Sequence, residues 1–123
     1  MDPNSIHIIG DFFHCPQGAL EKCRSGEEIL ADTVKRSGLH AILIKSHQFD
    51  PTGYTAVAML TESHITLHTW PEHGTVLVDV FTCGDPRAAE KAFILLEEHF
   101  KPELSEKTIM HRGGSFFPAE PTA

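Results

Sequence analysis

No stretch of this sequence approaches the roughly 20 consecutive apolar residues that a membrane-spanning helix requires, so no membrane partner is expected. Basic residues are few. Ten Lys and Arg stand against seventeen Asp and Glu, a formal charge of −7. A surface built for a polyanion is therefore not expected, and no nucleic-acid partner is assigned. The first residues, Met1-Asp2-Pro3-Asn4, lack the basic region and the apolar segment of a signal peptide, which makes the cytoplasm the expected location. Cysteine is sparse too: Cys15, Cys23 and Cys83 are an odd number, with no C-x-x-C pair. Reduced thiols are expected rather than a disulfide framework. Repeats at solenoid periods are missing, as are low-complexity blocks ahead of the tail. What is present is 123 residues, 41% apolar and 22% charged, the size and make-up of one soluble domain with its own core.

Residues 6–14, Ile6-His7-Ile8-Ile9-Gly10-Asp11-Phe12-Phe13-His14, are rich in β-branched and aromatic types and predict a strand. Pro16 and Gly18 break it. From about Gln17 to Ser37, Leu20, Ile29, Leu30 and Val34 recur at helical spacing among charges. This predicts an amphipathic helix, interrupted near Ser25-Gly26 and stopped by Gly38. Strands follow at His40–His47 and Tyr54–Leu60, separated by the turn residues Asp50-Pro51-Thr52-Gly53. Within Ser63–Trp70, Ile65 and Leu67 alternate with His64, Thr66 and His68, giving a strand with one apolar and one polar face. A turn over 71–74 leads to a valine-rich strand at Thr75–Thr82. Asp85 then caps a helix with Pro86 at its first position, running to about Phe100. A short last strand is expected at Thr108–His111. Residues 1–112 form the expected single domain, and Gly113–Ala123 a loose, proline-rich tail. The order β-α-β-β-β-β-α-β predicts an α/β (α+β) fold: a two-layer sandwich, with an antiparallel sheet and the helices packed on one face.

The densest chemistry lies in Glu62-Ser63-His64-Ile65-Thr66-Leu67-His68-Thr69-Trp70-Pro71-Glu72. Three readings of it stand open. A metal site would draw on His64 and His68, yet on a strand these lie roughly 13 Å apart. No cysteine pair or carboxylate-rich set completes the ligands, and no metal is assigned. Hydrolysis by Ser63 and a histidine lacks the G-x-S-x-G elbow that would expose the nucleophile. The third reading is a polar strand face covered by solvent or by a partner.

That run, with Asp79-Val80-Phe81-Thr82-Cys83-Gly84 after it, resembles the small prokaryotic S-adenosylmethionine decarboxylases, from His7 to about His111. The resemblance implies a self-processing pyruvoyl enzyme. The chain would cut itself between Glu62 and Ser63, into residues 1–62 and 63–123. The Ser63 hydroxyl would attack the Glu62 carbonyl carbon through a five-membered ring. Elimination would then leave a pyruvoyl group derived from Ser63. That group would take the α-amino nitrogen of the substrate as a Schiff base and draw electrons from the breaking carboxylate bond. His68 matches the base for the elimination, a role that suits an imidazole. Cys83 matches the group that returns a proton to the substrate carbon, and a free thiol is mostly protonated at neutral pH. Phe49, in Phe49-Asp50-Pro51-Thr52-Gly53-Tyr54, matches an adenine-stacking ring. Glu72 matches the carboxylate that takes the two ribose hydroxyls. His7 and Asp11 lie on a strand expected to border the site. Cys15 and Cys23 fall outside the signature and read as structural. The product would be the aminopropyl donor for spermidine synthesis. The processed protomers would pair as a homodimer, with active sites near the interface.

Some positions depart from the family pattern. Thr55 stands where a serine usually helps processing; the hydroxyl is kept, and a methyl stiffens χ1. Ala56 replaces a common glycine, and Asp11 a common glutamate. None of these removes a catalytic group, but they leave the substrate less fixed than the chemistry. A second reading is a pyruvoyl decarboxylase of ornithine or arginine, with Asp50 or Asp11 pairing the distal cation. A third is an unprocessed, non-enzymatic homologue, against which the joint presence of Ser63, His68 and Cys83 speaks.

Overall fold

The structure, a computed structural model, describes residues 4–114. Beyond Gly114 the expected loose tail lies outside the described residues. Six strands form one antiparallel sheet: β1 (Ser5–Phe13), β2 (Ala41–Gln48), β3 (Tyr54–Leu60), β4 (Ser63–Trp70), β5 (Thr75–Thr82) and β6 (Leu104–Arg112). Their order across the sheet is β2-β3-β4-β5-β1-β6. Period-two alternation sends Ile6, Ile8, Phe12, Tyr54, Ala56, Ile65, Leu67, Val76, Val78 and Val80 to one buried face. Two helices, α1 (Cys23–Ser37) and α2 (Pro86–Phe100), cover that face. Ile29, Leu30 and Val34 of α1 and Ala89, Phe93, Leu96 and Phe100 of α2 complete the core. Phe12 meets Phe93 edge-on at 5.5 Å. Each large side chain fully buried here contributes about 1.5–3 kcal/mol. This is the two-layer sandwich that the order of elements predicts.

Three elements differ from expectation. The first helix begins at Cys23, and Gln17–Ala19 forms a separate single turn of 3-10 helix. The backbone of that segment is claimed by the sheet. The Leu20 carbonyl accepts from Thr69 Oγ1 (2.8 Å) and the Glu21 carbonyl from the Gly53 N–H (3.0 Å), so neither is free for a helical ladder. Gly26 does not interrupt α1. It is buried in a continuous helix, where a β-carbon would collide with the ring of Tyr54. The last strand, expected over Thr108–His111, runs from Leu104 to Arg112 and pairs with β1 along its whole length. It is an edge strand and almost wholly exposed, so it lacks the buried alternation by which strands are read.

Among the described residues, no helix covers the other face of the sheet. His7, Asp11, Thr55, His64, Thr66, His68 and Asp79 point there, among the exposed apolar side chains of Leu43, Met59, Trp70 and Met110. No described helix is long and apolar enough to cross a membrane.

Candidate active site

The tight link between β3 and β4 brings Glu62 to the mouth of the sheet. Ser63 pairs with Thr82 across β4 and β5, which sets Cys83 beside the Glu62–Ser63 bond. Cys83 Sγ donates to the Glu62 carbonyl oxygen at 3.1 Å. Ser63 Oγ is buried and has no hydrogen-bond partner. Such an orphan ordinarily costs about 1–3 kcal/mol, and functional sites are where it is tolerated. A β-carbon at Gly84 would collide with the Glu62 carboxylate, so glycine is what lets that side chain lie across the loop. Glu62 and Ser63 line a cavity of about 250 Å³ together with His40 and Asp85. The Arg87 N–H, then its guanidinium, hold the Asp85 carboxyl below the usual carboxylate range. On the other side, Cys83 and Gly84 border a cavity of about 590 Å³ with Ser5, His111 and Arg112.

A second cluster forms at the far end of β4. Thr55 and His68 are register partners across β3 and β4, with Thr55 Oγ1 and His68 Nδ1 3.1 Å apart. They line a cavity of about 440 Å³ with Phe49, Thr52, Trp70 and Glu72. Phe49 is half-exposed and meets His47 edge-on at 5.0 Å. Four residues expected from sequence, Phe49, Thr55, His68 and Glu72, are thus brought to one cavity. Trp70 joins them, although no motif in the sequence marks it. Its place in the alternation with His64, Thr66 and His68 was the signal for it. Tyr54 borders the cavity from the strand, its ring turned to the helices; burial pushes its phenol up, and its hydroxyl donates to the Ala19 carbonyl at 2.7 Å.

The two clusters do not meet within one chain. Ser63 shares the helix-facing side of β4 with Ile65 and Leu67, whereas His68 lies on the open side. Five residues of strand separate them, roughly 16 Å. Within one protomer His68 is therefore out of reach of Ser63.

Between them, on the open face, Asp79 Oδ2 accepts from His7 Nε2 (2.7 Å) and His64 Nε2 (3.0 Å), and Thr66 donates to Oδ1. The Arg112 guanidinium lies 3.2 Å from His7 Nδ1 and can only donate, which fixes the His7 proton on Nε2. The three ligand-type groups are close enough to share an ion. As bonded here, both imidazoles turn an N–H rather than a lone pair to Asp79. Asp11 lines the groove beside His7 and His68, and Asp50 is exposed in the β2–β3 turn. Cys15 is buried, and burial pushes its thiol up to about 11, which fits a structural role.

Comparison with known proteins bears on this geometry. A model of the S-adenosylmethionine decarboxylase family matches residues 6–113. The S-adenosylmethionine decarboxylase proenzyme of Methanococcus maripaludis (strain S2) is 42% identical over 107 residues, 87% of this chain and 88% of the relative. Those of Aquifex aeolicus and Archaeoglobus fulgidus are 38% and 37% identical, covering 88% and 87% of this chain and 80% and 96% of their own lengths. The crystal structure of the adenosylmethionine decarboxylase from Aquifex aeolicus superposes with a TM-score of 0.87 at 35% identity, covering 92% of this chain and 93% of that one.

Proposed function

The chain belongs to the S-adenosylmethionine decarboxylase family, and we propose that it is a self-processing pyruvoyl enzyme that decarboxylates S-adenosylmethionine. One observation carries the reading: the Ser63 hydroxyl is buried without a partner, while the adjoining Glu62 carbonyl accepts from Cys83 at 3.1 Å. The thiol draws electron density from the carbonyl carbon, and the hydroxyl has no competing bond to break. Attack by Ser63 Oγ exchanges the Glu62–Ser63 amide for an ester. Removal of the Ser63 Cα proton expels the Glu62 carboxylate and leaves a dehydroalanine. Water then releases its nitrogen as ammonia. The pyruvoyl group so derived from Ser63 supplies an electron sink for the pair left behind when carbon dioxide departs. Cys83 stays beside that position to return a proton to the substrate carbon. Phe49 and Trp70 offer rings to the adenine, and Glu72 two carboxylate oxygens to the ribose diol. The product is an aminopropyl donor of the kind spermidine synthesis consumes.

The working unit is a homodimer. The Ser63–Cys83 end and the Thr55–His68 end of one chain are roughly 16 Å apart along β4. A two-fold pairing of open sheet faces brings the His68 end of one protomer to the Ser63 end of the other. It also covers Leu43, Met59, Trp70 and Met110, which otherwise meet water.

Intact mass under denaturing conditions tests the reading. The expected result is two fragments, 1–62 and 63–123, the second lighter by one ammonia than hydrolysis would give. Ser63→Ala is expected to remain one chain of 13.6 kDa. Carbon dioxide should be released from S-adenosylmethionine and not from ornithine or arginine. An uncut wild type, or release from an amino acid alone, overturns the reading.

A further inference from the structure

The end of β2 carries a side chain whose bonds all converge on one junction. Gln48 Oε1 accepts from the Cys23 N–H at 2.7 Å, the first residue of α1. Its Nε2 lies 2.9 Å from the Glu21 carbonyl, 3.1 Å from that of Phe49 and 3.0 Å from that of Gly53. An amide has two N–H protons, so three carbonyls share two donors. The N–H on one side and the carbonyls on the other leave a single orientation for the amide. Lys22 gives α1 no side-chain cap, and Gln48 satisfies that helix end from across the sandwich.

The same bonds fix the β2–β3 turn. Phe49 N–H donates to the Gly53 carbonyl (2.8 Å), and Gly53 N–H to the Glu21 carbonyl (3.0 Å). The turn thus hangs between its own backbone and the segment ahead of α1, and the Gln48 side chain bonds both. On the opposite side of the strand end, Phe49, edge-on to His47, faces the cavity that also holds Thr55, His68, Trp70 and Glu72.

We infer that Gln48 is a positioning residue for substrate recognition. It holds the turn so that the Phe49 ring stands at a fixed height over the cavity, while making no contact with substrate itself. The inference rests on the reading above of that cavity as the adenosyl site. A ring on a free turn must be ordered on binding, whereas one pinned in advance is not, so the effect falls on affinity more than on the chemical step.

Two substitutions separate positioning from stability. Gln48→Glu keeps the acceptor for Cys23 N–H and replaces the donor with an oxygen facing three carbonyls. Gln48→Lys keeps donors of similar reach and loses the helix cap. We expect Gln48→Glu to raise KM for S-adenosylmethionine at least fivefold, with kcat and self-cleavage within twofold of wild type. Gln48→Lys should stay within about twofold in KM and show the larger drop in Tm. Trp70, the one tryptophan of the chain, reports ligand binding by fluorescence, and its quenching should give the same shift in Kd. In a Phe49→Ala background, Gln48→Glu should add nothing further to KM. The proposal is overturned by an unmoved KM in Gln48→Glu, by kcat and cleavage falling in step with it, or by both variants failing to fold. A wild type that neither binds nor decarboxylates S-adenosylmethionine overturns the functional reading and this inference together. A working wild type with an unmoved Gln48→Glu overturns this inference alone.

Discussion

Thr55 differs from serine by one methyl group, and what the proposed processing would use is the hydroxyl. Its Oγ1 lies 3.1 Å from His68 Nδ1, so it fixes the imidazole's rotation. Thr55→Val keeps the shape and removes the bond. Self-cleavage is expected to slow about tenfold, the equivalent of one hydrogen bond worth roughly 1–1.5 kcal/mol. Thr55→Ser keeps the bond and is expected to cleave at least as fast as wild type. A time course of fragment appearance by mass checks both, and wild-type cleavage by Thr55→Val would remove Thr55 from the mechanism. The residues proposed to react are legible because they sit in one contiguous run, Glu62 to Glu72, with Cys83 close behind. Gln48 and Gly26 were not. Their roles depend on what crosses from another element, four polar atoms for one and the Tyr54 ring for the other. Spacing along the chain carries no record of either.

Among elements, the link between the two helices is sensitive to acid. Asp32 of α1 accepts from His99 of α2 at 2.7 Å and from Arg36 at 3.1 Å. The His99 bond first, then Arg36, hold the Asp32 carboxyl below its ordinary value of 3.8. A carboxyl with a depressed folded value stabilises the fold above its unfolded value, near ~3.9, and that contribution is lost as pH falls through the folded one. The Asp32 side chain is 39% exposed, so solvent screens the pair and its worth is about 0.2–1 kcal/mol. Asp32→Asn should therefore lower Tm slightly at pH 7 and show a shallower fall in Tm between pH 5 and pH 3. Parallel acid limbs for the two proteins would show that the contact does not contribute. The elements themselves were readable wherever one face is buried and the other is not, as in β3, β4 and β5. β6 and the turn at Gln17–Ala19 were misjudged for opposite reasons. One is exposed on both faces; the other is followed by Leu20 and Glu21, whose carbonyls are taken by distant donors.

At the scale of the whole molecule, the open sheet face and the divided site pose one question. Ser63 and Cys83 lie at one end of β4, and Thr55 and His68 at the other, on the opposite side of the strand. No rotamer of His68 spans roughly 16 Å. If the base that finishes cleavage comes from a second copy, two dead proteins should make one live site. Ser63→Ala has no nucleophile but still presents His68; His68→Ala has the nucleophile but no base. Each alone is expected to stay uncut. Co-expressed and allowed to pair, they should yield fragments of the His68→Ala chain alone, since only that chain carries Ser63, and up to half of it at equal amounts if pairing is random. Distinct tags on the two chains make the fragments separable by mass. Cleavage should fall as a third, doubly substituted chain is added, because that chain competes for partners while contributing neither group. An uncut His68→Ala chain in the mixture would require the base to reach Ser63 within one protomer, by a rearrangement of β4 that its paired register on both sides resists.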